Sequence, residues 1–232
     1  SACIPSDPGF YVGLPGSIGQ DPCPPGSFQD SIAQSACNPC PEGYFSLSEA
    51  STNASDCFAS APGYYSDLGG APIQCPIGYY QPNPNSTSCM ESDPGYYVDS
   101  PGSIHQIECP SGTYSEQLGS VNESSCSLAI PGFFVEKPGS KSQTPCPQGS
   151  YSSDFGSSNC TLSDFGHFVP MQGQNTQMLC PKGTYGPDRG ANLCLNSSEG
   201  HYVDSPGSVD QTPCPKGTYN PNLSGYNLSS CI

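Results

Sequence analysis

Cys75-Pro76-Ile77-Gly78-Tyr79-Tyr80, followed by Cys89 and then by Pro94-Gly95-Tyr96-Tyr97-Val98-Asp99-Ser100-Pro101-Gly102-Ser103, is one copy of a pattern that fills the chain. The motif Cys-Pro-x-Gly-x-aromatic starts at Cys23, Cys40, Cys75, Cys109, Cys146, Cys180 and Cys214. A second cysteine follows each, at Cys37, Cys57, Cys89, Cys126, Cys160, Cys194 and Cys231. The two lie 14 or 17 positions apart, and successive motifs from Cys40 onward lie 34, 35 or 37 apart. A recurrence of this length marks a tandem array, and a unit of about 34 residues is too small to hold a core of its own.

Between the cysteine segments runs a second motif, repeated clearly at Gly200-His201-Tyr202-Val203-Asp204-Ser205-Pro206-Gly207-Ser208. Its glycine falls six residues after a cysteine, at Gly9, Gly63, Gly95, Gly132, Gly166 and Gly200. An aromatic stands two residues later, at Tyr11, Tyr65, Tyr97, Phe134, Phe168 and Tyr202. Five of these six copies place a glutamine three residues before the next cysteine: Gln20, Gln106, Gln143, Gln177 and Gln211. The array divides into a partial repeat (residues 1–22), a first cysteine loop (23–39), five repeats (40–74, 75–108, 109–145, 146–179 and 180–213) and a last cysteine loop (214–232). Ser1-Ala2-Cys3-Ile4 occupies the same place in the pattern as Ser229-Ser230-Cys231-Ile232, 228 residues on, so the segment is expected to be a piece, or one period, of a longer array.

Leu, Ile, Val and Phe supply only 36 of 232 residues, too few for an ordinary hydrophobic core. Pro and Gly together supply 54, and no window carries a helical apolar period. The fold class expected is a small disulfide-rich one of β-turns and short β-hairpins, with strands of three to five residues, arranged as an elongated rod-like tandem array with little or no helix. In Cys-Pro-x-Gly the proline fixes one backbone angle and the glycine admits positive φ, which gives a tight reversal. Regularly spaced cysteines of this density require an oxidising compartment, so an extracellular or cell-surface location reached through the secretory pathway is expected.

Cys-Pro-x-Gly-x-Tyr with a cysteine about 14 residues on resembles the first module of the cysteine-rich domains of tumour-necrosis-factor receptors, and the related ephrin-receptor-like cysteine repeats of extracellular proteins. That resemblance implies the pairs Cys23–Cys37, Cys40–Cys57, Cys75–Cys89, Cys109–Cys126, Cys146–Cys160, Cys180–Cys194 and Cys214–Cys231. The cysteine count alone also allows a shifted frame that pairs Cys3 with Cys23 and would force a strained bond between Cys37 and Cys40. Closing a loop of about 15 residues contributes roughly 3 kcal/mol in the chain-entropy model, so seven such loops supply at most on the order of 20 kcal/mol. In the family frame Cys3 is left over, with a partner in a preceding repeat or in a neighbouring subunit. The Gly-aromatic segment carries none of the cysteines of the receptors' second module, so the receptors' ligand surface does not transfer to it.

Asn-x-Ser/Thr occurs at Asn53, Asn85, Asn122, Asn159, Asn196, Asn222 and Asn227, which marks these as candidate N-glycan acceptors. Four of them, Asn53, Asn85, Asn122 and Asn227, stand four residues before the second cysteine. Against that reading, Asn and Ser are favoured in turns for their own sake.

Twenty acidic residues against five basic ones, Lys137, Lys141, Lys182, Arg189 and Lys216, leave a net charge of −15 and no basic patch for nucleic acid. Asp7, Asp93, Asp99, Asp164 and Asp204 recur at related places. They stand singly, so structural calcium is a minor expectation and solvation the main one. No other metal or cofactor is expected. His167 and His201 take the place held elsewhere by Phe10, Tyr64, Tyr96 and Phe133, and His105 is isolated, so no catalytic set is expected. Cys37-Asn38-Pro39-Cys40 has the spacing of a redox or zinc motif, but it is the junction where one cysteine loop abuts the next, and no spare thiolates or imidazoles stand nearby for zinc.

The function expected is the shaft of an extracellular glycosylated fibre, stalk or surface coat, whose partners are copies of itself or adjacent repeats. The alternatives are the ectodomain of an adhesin or receptor, or the noncatalytic stalk of an extracellular enzyme. Regularity breaks at Phe165 to Leu179, where Pro-Gly-Ser is lost and Met171 and Met178 enter. It breaks also at the short linker Gly63 to Cys75 and at the missing linker Cys37 to Cys40, and a change of rod phase or a bend is expected at both. No run approaches a membrane span.

Overall fold

A computed structural model describes residues 3–232, so the Ser1-Ala2 part of the match between the two chain ends lies outside the described residues. Aligned on their turn glycines, the cysteine motif and the linker motif are one structure. Gly9, Gly26, Gly43, Gly63, Gly78, Gly95, Gly112, Gly132, Gly149, Gly166, Gly183, Gly200 and Gly217 all take φ between 73° and 90°. Each fills the third place of a β-turn closed by a hydrogen bond such as Phe10 N–H to Asp7 O (3.1 Å) or Ser27 N–H to Pro24 O (3.1 Å). Positive φ at that place is what a type II turn requires, and it is why glycine stands there in both motifs. Of the twelve steps between these glycines, nine are 17 residues, two are 20 and one is 15. The unit of about 34 residues is therefore two consecutive rungs of the same design.

The chain folds as two compact units, one holding the described residues up to Ile107 with Gln117–Ser125, the other Glu108–Glu116 with Cys126–Ile232. In the first, two-residue strands pair antiparallel as Phe10–Tyr11 with Asp21–Pro22, Ser27–Phe28 with Asn38–Pro39, Tyr44–Phe45 with Phe58–Ala59, Tyr64–Tyr65 with Ile73–Gln74, and Tyr79–Tyr80 with Met90–Glu91. In the second the same hairpin recurs six times, from Thr113–Tyr114 with Ser127–Leu128 to His201–Tyr202 with Thr212–Pro213. The strands are shorter than the three to five residues expected, because each rung directs its remaining backbone groups to its neighbours rather than to a longer ladder.

Two contacts stack the rungs within each unit. A turn glycine donates its N–H to a carbonyl 20 residues on, as in Gly26 to Ser46 (2.8 Å) and Gly132 to Ser152 (2.7 Å). The same glycine lies against the loop of the next rung but one: a Cβ on Gly149 would sit 2.1 Å from the Gly190 carbonyl oxygen, and one on Gly26 2.6 Å from that of Gly69. Glycine is thus required twice over, for its backbone angle and for the close approach. The loop position in this contact is also left-handed. Most rungs place glycine there, but Ala33, Ala50, Asn85 and Ser224 hold φ of 54° to 60°. Changing Ala50 to Gly is expected to raise stability by about 0.5–1 kcal/mol, the left-handed penalty less the added freedom of the unfolded chain, read as a higher urea midpoint.

Three sequence breaks take on a physical meaning. Gly26 and Gly43 keep the 17-residue step, so Cys37 to Cys40 is two cystine rungs in succession and not a change of phase. The step from Gly63 to Gly78 is 15, two residues short. At Phe165 to Leu179 the Pro-Gly-Ser sequence is absent but its turn is kept, because Gly173 supplies φ 73°.

Candidate functional site

Two side-chain positions of most rungs are buried, and within each unit they form two narrow columns. One holds the residue three before the turn glycine: Cys23, Cys75, Cys109, Cys146 and Cys180 share it with Ser60, Ser92, Ala129, Ser163 and Ser197, all fully buried. The other holds the residue three after it, among them Val98, Val135, Val169 and Val203, likewise buried. A serine can replace a cysteine in the first column because its hydroxyl finds an acceptor: Ser92 Oγ donates to Ser120 O, Ser163 Oγ to Ala191 O and Ser197 Oγ to Gly225 O, each at 3.2 Å. No buried side-chain nitrogen or oxygen among the described residues lacks a partner.

Seven disulfides join Cys23 to Cys37, Cys40 to Cys57, Cys75 to Cys89, Cys109 to Cys126, Cys146 to Cys160, Cys180 to Cys194 and Cys214 to Cys231. Each pair closes a loop within one rung. Cys3 is exposed and free.

In the cystine-free rungs a glutamine takes the place of the second half-cystine. Gln20, Gln106, Gln143, Gln177 and Gln211 each lie 14 residues after the residue of the first column, Ser or Ala, the separation of the shorter disulfide loops. The glutamine Oε1 accepts the N–H of the residue after that column position: Asp7, Asp93, Asp164 and Ser198 at 2.7 Å and Ile130 at 2.9 Å. In three rungs Nε2 also donates to the same residue's carboxylate, on Asp7, Asp93 and Asp164, at 2.7 to 2.9 Å. A polar clasp therefore closes the loop that a disulfide closes in the neighbouring rung. Three residues before Cys75, where the other linkers have glutamine, the shortened Gly63 rung has Pro72, and its Gln74 lies in the strand paired with Tyr64.

The recurrent aspartates are thus hydrogen-bond acceptors. Among the described residues no three of His, Cys, Asp and Glu converge as metal ligands. Asp99 and Asp204 accept from the hydroxyls of Ser100 and Ser205. Asp164 accepts from Gln177 Nε2 and Arg189 Nη2, both at 2.9 Å, and these bonds, the glutamine's first, hold its carboxyl below the ordinary value. A carboxyl lowered in the folded state contributes stability that is present above its unfolded pKa and is lost as pH falls through the folded one. On going from about pH 6 to about pH 3, the clasp of the Gly166 rung is expected to loosen, read as a lower protection factor, relative to intrinsic exchange at the same pH, for the Asp164 amide that Gln177 accepts. Asp164→Asn should remove that pH dependence.

His167 Nδ1 lies 2.9 Å from Phe165 O and His201 Nδ1 3.1 Å from Glu199 O, so both rings serve their own turns. His105 is exposed. Tyr79 donates to Glu91 Oε1 at 3.0 Å, and that bond raises its phenol pKa. All five basic residues lie in the second unit, and the first carries none among its acidic side chains.

The sequons fall into two structural groups. In the 17-residue loops the three extra residues form 3₁₀ turns, Ala54–Asp56, Glu123–Ser125 and Leu228–Ser230, each following a sequon asparagine. Asn53 Oδ1 accepts from Ser55 N–H (3.0 Å), Asn122 Oδ1 from Ser124 Oγ (2.5 Å) and Asn227 Oδ1 from Ser229 Oγ (2.6 Å). Asn85 shares their count to the second cysteine but sits in a left-handed loop position, with its Nδ2 donating to Tyr44 OH at 3.2 Å. Asn53, Asn85, Asn122, Asn159, Asn196 and Asn222 are exposed, and Asn227 is half-buried.

The recurring glutamines stand out in the sequence without showing their role, and the serine column does not stand out at all. Counting from the turn glycines instead of from the cysteines exposes both, since Cys-to-Cys and Ser-to-Gln then fall on the same two positions.

Short hairpins, a column of half-cystines and a thin interior define a disulfide-rich extracellular type of tandem repeat. Within it, residues 19–57, the Gly26 and Gly43 rungs, match the family model described as tyrosine-protein kinase ephrin type A/B receptor-like. No curated protein matches the chain. Seven disulfides and a receptor-like family indicate an extracellular domain. Among the described residues no helix is long and apolar enough to cross a membrane.

Proposed function

We propose that this chain is a shaft segment of an extracellular glycosylated fibre, stalk or surface coat, built to hold length and stiffness rather than to carry out chemistry. The observation that carries the reading is the repetition of one set of turn-to-turn hydrogen bonds, such as Gly149 N–H to Val169 O and Gly183 N–H to Val203 O, both 2.9 Å. Rungs of this kind contact mainly their neighbours, so an array can be lengthened without redesign. Glycans on the exposed sequons would cover the half-buried aromatics and keep adjacent copies apart. Its partners on this reading are copies of itself or further repeats of the same chain.

Electron microscopy of the native, non-reduced material, beside an enzymatically deglycosylated sample, tests the proposal. Filaments with a regular axial repeat that thin when sugar is removed are the expected result; isolated particles would sink the fibre reading. A receptor or adhesin ectodomain is the second reading, favoured by one observation: Phe165, Met171, Met178 and Leu179 are each about half exposed or more within one rung. Isolated particles whose attachment to a surface is lost on Phe165→Ser with Met171→Ser would support it.

A further inference from the structure

The alternation of covalent and polar closures divides the chain into segments that differ in how they meet tension. A pull along the backbone crosses each disulfide loop through its S–S bond, with 5.7 Å between the paired Cα atoms, and leaves the enclosed residues unstressed. The stretches between loops have no such bypass. From Cys89 to Cys109, Cys126 to Cys146, Cys160 to Cys180 and Cys194 to Cys214 the tension runs through 20 residues of backbone, held by a two-residue hairpin, the stacking bonds and one glutamine clasp. From Cys57 to Cys75 it runs through 18, and there the clasp is missing.

We propose that the cystine-free rungs are built-in yielding elements, which open one by one under load and reclose when it is removed while the disulfide loops stay shut. This rests on the shaft reading of the chain. Opening breaks hydrogen bonds, small apolar contacts and, in the Gly166 rung, the exposed Asp164–Arg189 ion pair, since the buried side chains concerned are single serines, alanine and valines. Each clasped rung releases at most about 70 Å of extended chain, at roughly 3.5 Å per residue. The Gly63 rung, with no clasp and two residues fewer, yields first and releases less.

Single-molecule force spectroscopy on the full non-reduced chain, held at its two ends, tests this. The expected trace is a series of separate steps no longer than about 70 Å, the earliest the shortest, recovered on relaxation. Gln143→Leu should lower the force of one step. Gln143→Glu, which keeps an oxygen for the Ile130 N–H, should leave that force close to the parent value. Ser92→Cys with Gln106→Cys occupies the two half-cystine positions; it should form an eighth disulfide by thiol count and remove one step, which Ser92→Cys alone should leave in the trace. A single all-or-none opening, or steps unmoved by Gln143→Leu and by the paired cysteines, would overturn the proposal. Stepwise opening of a chain that forms no filaments would sink the fibre reading alone and leave the yielding rungs standing.

Discussion

Gly149→Ala is expected to lower stability by about 2–5 kcal/mol. The added methyl incurs a left-handed backbone penalty of about 1–2 kcal/mol, and a backbone carbonyl that cannot rotate away adds the cost of overpacking, about 1–3 kcal/mol. The φ of 82° and the 2.1 Å approach to Gly190 O are the two causes. They separate by comparison with Gly200→Ala: Gly200 has φ 77° but no atom within 4 Å of an added Cβ. That variant should lose only the first part. Chemical denaturation of the two, with disulfides intact, measures both. Equal losses would mean that the contact between a turn and the next rung but one contributes nothing.

Removing one disulfide by Cys146→Ser with Cys160→Ser should cost roughly 3 kcal/mol, the entropy of a loop of about 15 residues set free in the unfolded chain. Pro147 has no N–H to offer a glutamine, so the clasp needs a third change: Cys146→Ser with Pro147→Asp and Cys160→Gln should be about 1 kcal/mol more stable than the same variant with Cys160→Ser, the net contribution of a hydrogen bond made in the pattern of the neighbouring rungs. The introduced hydroxyl has an acceptor waiting in the Gln174 carbonyl, 28 residues on, which stands where the acceptors of Ser92, Ser163 and Ser197 stand. Identical denaturation midpoints for the two Pro147→Asp variants, one with serine and one with glutamine at 160, would count against the clasp as a source of stability.

Much of this architecture was legible in the sequence. The seven cysteine motifs, the positive-φ glycines and the near-absence of helix follow from residue types whose backbone preferences are strong. The equivalence of the two motifs was harder to see, because cysteine dominates the eye and is present in only one of them. It rests on small residues: serine in place of cysteine, glutamine in place of its partner, and a glycine that both motifs share. Glutamine has no strong local preference, so nothing in Gln106 or Gln177 alone announces a bond to a backbone N–H 13 residues away. The offset of four residues likewise grouped Asn85 with Asn53, Asn122 and Asn227. Only three of the four precede the three-residue insertion, and a count from the cysteine cannot distinguish a 14-residue loop from a 17-residue one. Gly173 shows the converse, a turn preserved after the residues that advertise it have changed.

Because the side-by-side cystine loops of Gly26 and Gly43 keep the same step as alternating ones, register does not depend on which kind of closure comes next. An ancestral array could therefore gain or lose a single 17-residue copy without reframing its neighbours, and could convert a closure from amide to sulfur by changing two side chains, or from sulfur to amide by changing three, since the proline after the first cysteine has no N–H for a glutamine to accept. Length and covalent density become independent variables of the same polymer, open to separate tuning by duplication and by point substitution.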